Sequence, residues 1–467
     1  MDARSRVLPL GFLVVLSSAC VVGPNYARPD VSVPAVYRGG PAEASVKPDV
    51  ASFGDERWWD AFQDDTLRDL IRSALQQNYD VRIAAARILE ARALAGIARA
   101  DQLPQATAAA SIVNERLPEA LGRPAVETTP VQVTVSSAWE LDFWGKFRRA
   151  TESARANLLS EEWAQRHVVS SLVSDVASAY LQLREQDLEL DISRRTLASR
   201  RDSLRLTQLL EDRGATSLLD VRQAEQLVFG AAAAIADLEL RIEQEENFIS
   251  VLLGKNPDSI ARGRPLLDQP RPLEVPAGLP SSLLERRPDI LQAEQQLVAA
   301  NAQVGVARAD YLPQIALTAV GGYQSAALSS LFAGPAGLWS LGAGALQPVF
   351  EGGRIRSRVK FAEARVQEAT FVYQRTVQQA FREVSDALVG YRKGHDVRMQ
   401  QEQLTSAAED ATRLSNMRYQ GGAASYLEVL DSETRFFAAQ LALAQAELRE
   451  RQAVVQIYRS LGGGWQQ

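Results

Sequence analysis

Between Gly145 and Gly214 the chain contains neither glycine nor proline, and Val169, Val176, Leu183, Leu190, Leu197 and Leu204 recur at every seventh position inside that interval. Such a run predicts a single helix over residues 146–213, roughly 68 residues and about 100 Å long, whose apolar seam supercoils left-handedly around a partner. After the turn Gly214-Ala215-Thr216-Ser217 a return helix is predicted over 218–253, and a shorter alanine-rich helix over 79–103 is closed by Leu103-Pro104. End to end, the two shorter helices match the long one in length, so together they can flank it. Upstream, residues 65–77 read as a helix with Leu67, Leu70, Ile71 and Leu75 on one face, preceded by Trp58-Trp59-Asp60-Ala61-Phe62 as a packing anchor.

The periodicity then changes. From Val131 to Leu141 apolar residues alternate with polar or small ones, and residues 105–113 form a weaker partner across a loop that holds Pro118, Gly122, Pro124 and Pro130. Alternation of this kind suits a barrel strand with one lipid face and one wet face, and equally a half-buried strand of a soluble sheet. The hairpin recurs at 314–324 and 338–350. Aromatic residues gather where the strands meet the helices: Trp139, Phe143 and Trp144 in one copy, Tyr311 and Phe350 in the other. They form either an interfacial belt or the ordinary packing of a strand-to-helix junction.

The chain in fact matches itself. Shifted by 208 positions, Gly145 falls on Gly353, Arg184 on Arg392, Gly214 on Gly422, Ser217 on Ser425 and Val221 on Val429. The segment from Ala98 to Gln105 matches Ala307 to Gln314 at 209, a slip of one residue. This is a two-fold duplication of one elongated unit. In the second copy, Gly390 and Gly394 are expected to interrupt or bend the long helix. The run Leu283-Leu284-Glu285-Arg286-Arg287-Pro288-Asp289 opens the second short helix, with Pro288 in its first turn.

Composition narrows the function classes. A net charge of -6, with acids and bases interspersed, leaves no basic stripe for nucleic acid. His167 and His395 are not equivalent under the repeat and have no ligand cluster, and three methionines are too few for a soft-metal relay. No phosphate loop or histidine-based triad is present, so neither an enzyme nor a cofactor is expected. No apolar run is long enough for a membrane-spanning helix, whereas a β-barrel remains open. Arg4, Arg6, the apolar stretch from Gly11 to Leu16 and Ser17-Ser18-Ala19-Cys20 read as a secretory signal. Cys20 sits where a lipoprotein signal places the residue that becomes lipid-modified. Ser17 departs from the usual aliphatic residue, which leaves cleavage after Ala19 without lipid as the alternative.

Each copy supplies two strands, so the chain supplies four. Four strands cannot close, and an open edge in lipid leaves backbone groups unpaired, so several chains must share one barrel about a cyclic axis. The Trp58-Trp59 anchor with Phe62 and Leu67, the Leu284 to Asp289 run, the Ala-Arg-Ala-Asp-x-Leu-Pro segments and the paired turns before Leu219-Asp220-Val221 and Leu427-Glu428-Val429-Leu430-Asp431 together resemble the outer membrane factor family of the TolC type, most closely its lipoprotein branch. The resemblance covers nearly the whole mature chain.

It implies a mixed α/β membrane protein. Three chains share a twelve-stranded β-barrel in the outer membrane, four strands each, continuing into a long α-helical coiled-coil barrel in the periplasm. The domains would be a signal peptide (1–19), an extended segment with an equatorial helix (20–78), the first repeat (79–255), an equatorial linker (256–288), the second repeat (289–462) and a tail (463–467). It also implies an exit duct of a tripartite efflux pump, with outer membrane lipid around the barrel and a palmitate-type anchor on Cys20. Its partners would be a periplasmic adaptor protein and an inner-membrane pump of the resistance-nodulation-division type. By the same resemblance Glu428 and Asp431, one helical turn apart, ring the periplasmic gate. They would equally complement a helix dipole. The tips Gly214, Ala215, Thr216 and Ser217, and Gly421, Gly422 and Ser425, would meet the adaptor, where small side chains permit close approach. A protein-secretion duct and a non-conducting periplasmic coiled-coil spacer are the alternatives.

Overall fold

A computed structural model describes residues 21–39, 52–119, 124–269 and 280–465; the signal segment and Cys20 lie outside the described residues. In chain order the elements are α1 (Trp58–Ala61), α2 (Asp65–Gln77), α3 (Tyr79–Ala100), β1 (Gln105–Ile112), β2 (Glu115–Leu117), β3 (Val126–Thr128), β4 (Val131–Leu141), α4 (Lys146–Asp212) and α5 (Leu218–Leu252). They continue as α6 (Leu283–Arg286), α7 (Pro288–Ala309), β5 (Gln314–Ser325), β6 (Gly337–Leu346), α8 (Arg354–Gln420) and α9 (Tyr426–Ser460). The duplication is metrical: α3 and α7 have 22 residues each, α4 and α8 67, and α5 and α9 35.

Three expectations need correction. The second long helix is neither interrupted nor ended at Gly390 or Gly394, because a glycine inside a helix weakens it by about 1 kcal/mol yet keeps its backbone donor. A Cβ at Gly394 would rest in ordinary contact with the Glu450 backbone of α9, 3.7 Å from its Cα. The last strand stops at Leu346, short of Phe350, since Pro348 has no N–H for the ladder. The loop between β1 and β4 forms a small hairpin of its own, with Glu115 opposite Thr128 and Leu117 opposite Val126.

The described chain divides into two compact units, the first made of residues 21–30, 87–161 and 292–373 and the second of the remainder. In the first, an antiparallel sheet runs in the order β1-β4-β5-β6, so the two copies join through β4 and β5, with Val131 opposite Ser325 and Leu141 opposite Ile315. β1 and β6 each pair on one side only. The segment 21–30 lies extended against α7 and the residues before α4. Val22 N–H donates to the Trp144 carbonyl (3.0 Å), and Asn301 Nδ2 donates to the Pro24 carbonyl (3.0 Å). The Tyr26 hydroxyl and the Arg28 guanidinium both donate to Glu294. Gly23, at φ 105°, passes so close to Gly305 that a Cβ would lie 2.4 Å from its Cα.

In the second unit Trp58 is buried and meets Trp59 edge to face at 5.3 Å, which is the packing anchor the sequence predicts. Leu67, Ile71 and Ala74 form the buried stripe of α2. Asp64 caps α2 by accepting from the Thr66 and Leu67 amides, and also accepts from Tyr180 Oη of α4, Gln269 Nε2 and the Arg264 amide. One carboxylate thereby welds α2, α4 and the segment after α5.

The heptad seam of α4 holds only in part. Val169, Val176 and Leu183 are buried, while Leu190, Leu197 and Leu204 are half-buried and the buried positions beyond Leu183 become Glu185, Gln186, Glu189, Ile192, Ser193, Arg200 and Thr207, polar in all but one. In this stretch α4 has neighbours on both flanks: Arg200 Nη1 donates to the Leu227 carbonyl of α5, and its guanidinium lies over the Phe437 ring of α9. The most buried line therefore falls between two contacts, off the apolar stripe. Among the described residues no helix is long and apolar enough to cross a membrane.

Candidate functional site

The two helix turns are built alike and finished differently. At the first, Gly214 takes φ 68° and the Ala215 amide donates to the Leu210 carbonyl, ending α4 in a left-handed cap. Ser217 then caps α5 in a closed capping box. Its hydroxyl accepts from the Asp220 amide, and the Asp220 carboxylate accepts from the Ser217 amide and from the Thr216 hydroxyl. Burial would raise the Asp220 carboxyl, but these donors outweigh it and hold the group below its ordinary range.

At the second turn Gly422 takes φ 71°, and the Ala423 amide donates to the Arg418 carbonyl. Ser425 occupies the N-cap but makes no side-chain bond there. Glu428, the counterpart of Asp220, instead reaches across the turn to Arg418 Nη2 at 3.6 Å. In the first copy the position of Arg418 is filled by Leu210, so that link has no equivalent. Asp431 pairs with Arg435 one turn on, at 2.9 Å. Both acids stand on an exposed face of α9, and such ion pairs contribute about 0–1 kcal/mol. The structure thus brings Glu428 and Asp431 together on one face, as the sequence predicts, and leaves their charge accessible. Gly214, Ala215, Ser217, Gly421, Gly422 and Ser425 are exposed, and Thr216 is half-buried.

Behind these acids lies a cluster that periodicity did not reveal. Tyr426 and Val429 pack on Ala224 of α5, with Leu204, Tyr419 and Leu430 around them. The Tyr419 and Tyr426 rings meet at 5.4 Å. Burial, then the nearby Glu433 charge, pushes the Tyr426 phenol up. Glu433 is raised by its own burial, against the opposing pull of Arg200 and of hydrogen bonds from Asn416 and Ser203. The only signal in the sequence was a pair of tyrosines bracketing a glycine turn.

The capping difference has a measurable consequence. Ser217→Ala is expected to lower local stability at the start of α5 by about 1 kcal/mol, whereas Ser425→Ala leaves the start of α9 unchanged. Hydrogen exchange of the amides at 218–221 and 426–429 reads both, and equal acceleration at the two sites would contradict the asymmetry.

The five junction aromatics belong to the first unit. Trp139 Nε1 donates to the Gln102 carbonyl (3.0 Å), and Trp144 Nε1 donates to the Pro313 carbonyl (2.7 Å). Gln347 Nε2 donates to the Tyr311 carbonyl (2.9 Å). Phe143 is exposed, and Phe350 is 89% exposed. The two tryptophans are therefore tied by their N–H groups to the turns that join the short helices to the strands that follow them. Among the described residues no group of three or more His, Cys, Asp and Glu side chains is placed to hold a metal.

Comparison with known proteins agrees with this architecture. The profile of the family described as outer membrane efflux protein matches residues 70–255 and 279–463, one match for each copy. The chain is 34% identical over 464 residues to the toluene efflux pump outer membrane protein TtgC of Pseudomonas putida, covering 98% of this chain and 96% of that one. It is 32% identical over 466 residues to the cation efflux system protein CusC of Escherichia coli, covering 99% of each. Among solved structures it is similar to the outer-membrane channel OprN, with a TM-score of 0.89 and 33% identity, over 96% of this chain and 100% of that one.

Proposed function

The chain belongs to the outer membrane efflux protein family, and from that premise we propose that it is the outer membrane exit duct of a tripartite efflux pump. It conducts passively from the periplasm to the exterior, as members of a family of ducts do. The observation that carries the reading is the four-stranded antiparallel sheet with one-sided terminal strands, whose strands lead directly into two 67-residue helices. An unpaired edge costs several kcal/mol per backbone group in lipid, so β1 of one chain is to pair with β6 of the next. Two chains would give eight strands, a bore filled by side chains; three give twelve and room for a conduit. We therefore assign a homotrimer with a twelve-stranded barrel and a helical tunnel in the periplasm.

In this reading the domains divide as the sequence suggests. Residues 20–78 and 256–288 with the tail 463–467 make an equatorial girdle around the repeats 79–255 and 289–462, after a signal peptide over 1–19. Cys20 is the lipid attachment site; two residues on, Val22 is bonded to Trp144, beside the strand-to-helix junction. Trp139, Phe143, Trp144, Tyr311 and Phe350 form the lower interfacial belt. The exposed small residues of the tips receive a periplasmic adaptor, which couples the duct to an inner-membrane pump of the resistance-nodulation-division type. Glu428 and Asp431 from three chains ring the periplasmic mouth and favour cations. TtgC and CusC are named for toluene and for cations, which supports small molecules over polypeptides as cargo.

Single-channel recording of the detergent-purified protein in a planar bilayer tests this. Wild type is expected to give small cation-selective currents. The Glu428→Ala, Asp431→Ala double variant is expected to lose cation selectivity severalfold and to open wider, since Arg418 also loses its partner. Identical currents in both would remove the two acids from the gate and keep the duct. Silence in both, from folded and inserted protein, would favour the spacer.

A further inference from the structure

On α4, one helical turn apart, Glu185 and Glu189 are each only 2% exposed. Glu189 accepts from Gln445 Nε2 of α9 at 3.1 Å and lies 3.6 Å from Arg241 of α5. That guanidinium is itself shared with Asp237, at 3.1 Å. Further along α5, Glu239 is paired with Arg194, Glu243 is exposed, and Glu245 is half-buried, its carboxyl pushed up by burial. On α9, beyond Gln445, Glu447 is paired with Arg451, and Arg449 between them is exposed. On α4 itself the Ser193 hydroxyl has no partner among the described residues, and Asp187 is engaged by Arg184 and Arg262. Two buried carboxylates thus share one part-time cation, an arrangement that cannot hold two negative charges without cost.

We propose that Glu185 and Glu189 hold one proton between them and act as a pH-sensitive lock on the packing of α4 against α5 and α9. The lock is closed while the proton is shared and loosens when the proton passes to a base in solvent. It is a property of the folded chain and holds whether or not the chain conducts. Burial, then the charge of Glu189 and the hydrogen bond to it, pushes the Glu185 carboxyl up to about 8, against the opposing pull of Arg241. The native chain therefore binds more protons here than the unfolded one between the ordinary glutamate range and that value. Stability from the pair is fully present below the ordinary range and is lost as pH rises through about 8.

Glu185→Gln keeps the volume and a hydrogen-bond donor but cannot ionise. In full-length detergent-solubilised protein, the thermal midpoint of wild type is expected to fall relative to this variant as pH rises towards 8 and to run parallel above it. A pH-difference infrared spectrum should show a protonated carboxyl C=O band that disappears with a midpoint near 8 in wild type and is missing in Glu185→Gln. Glu189→Gln tests the pair independently: with its neighbour neutral, the midpoint of that band should drop by about one unit or more. Parallel stability profiles for wild type and Glu185→Gln, or a band midpoint unmoved in Glu189→Gln, would overturn the proposal.

Discussion

Replacing Asp64 by alanine is expected to lower the stability of the described fold by about 3 kcal/mol, because the loss is that of an ionised acceptor to several buried donors. The carboxylate is 1% exposed, and with it would go the cap of α2 and the bonds from Tyr180, Gln269 and Arg264. Those donors would stay buried without an acceptor. Asp64→Asn keeps the shape and one acceptor oxygen, so it should recover part of the loss.

The effect depends on pH in a definite direction. Burial raises the Asp64 carboxyl, but the bonds from Gln269, Leu67, Arg264 and Tyr180 outweigh it and hold the group below its usual range. Its stabilisation is accordingly present above the ordinary aspartate pKa and is lost as pH falls through the lowered value. Thermal melts of wild type and Asp64→Asn should therefore converge on acidification. A constant gap from neutral pH down to strongly acid conditions would show that packing, not ionisation, is what the residue supplies.

Arg287→Ala is the second large effect, at about 3–5 kcal/mol, the range for breaking one side of a buried ion pair. Its guanidinium is buried, forks onto Asp289, reaches Glu383 at 2.7 Å and donates to the Ser460 carbonyl at 3.1 Å. One side chain thereby holds the start of α7, a flank of α8 and the end of α9. Burial raises the Asp289 carboxyl, and the bond and charge from Arg287 more than reverse this. Removing the guanidinium should thus destabilise the fold most near neutral pH and less in acid, where Asp289 can take up a proton. Arg287→Lys retains the charge without the fork and should fall between the two. If denaturation midpoints showed lysine equal to arginine, the planar geometry would carry none of the effect.

The long elements were legible because glycine and proline punctuate them. The unbroken run after Gly145 defined α4 to within a residue, the run after the Gly214 turn predicted α5, and self-comparison then supplied α8 and α9. Alternation found β4, since a period of two cannot be mistaken for 3.6 over eleven residues, and recurrence of the hairpin in the second copy located β5. What stayed hidden was polar and distant. Asp64 looks like a plain N-cap until Tyr180 and Gln269 arrive from 116 and 205 residues away. Glu185, Glu189 and Arg200 read as solvated charges, since a pattern of apolar residues cannot register a buried line made of acids, serines and an arginine. At the tips, Glu428 and Asp431 could be placed on one face from their spacing, but Arg418 lies across a turn where helical spacing gives no guidance.

The equal helix lengths of the two copies make residue count itself a constrained quantity. One residue inserted into α4 above Arg200 would turn everything beyond it by about 100° and push it out by 1.5 Å. That would swing Arg200 off both Leu227 and Phe437 and leave one tip longer than its twin. The helices act as a ruler cut twice to the same mark, and changes in length belong elsewhere. The copies obey this: they differ between their strands, at residues 113–130 against 326–336. The single residue by which their registers slip falls between Gln105 and Gly145, outside every helix.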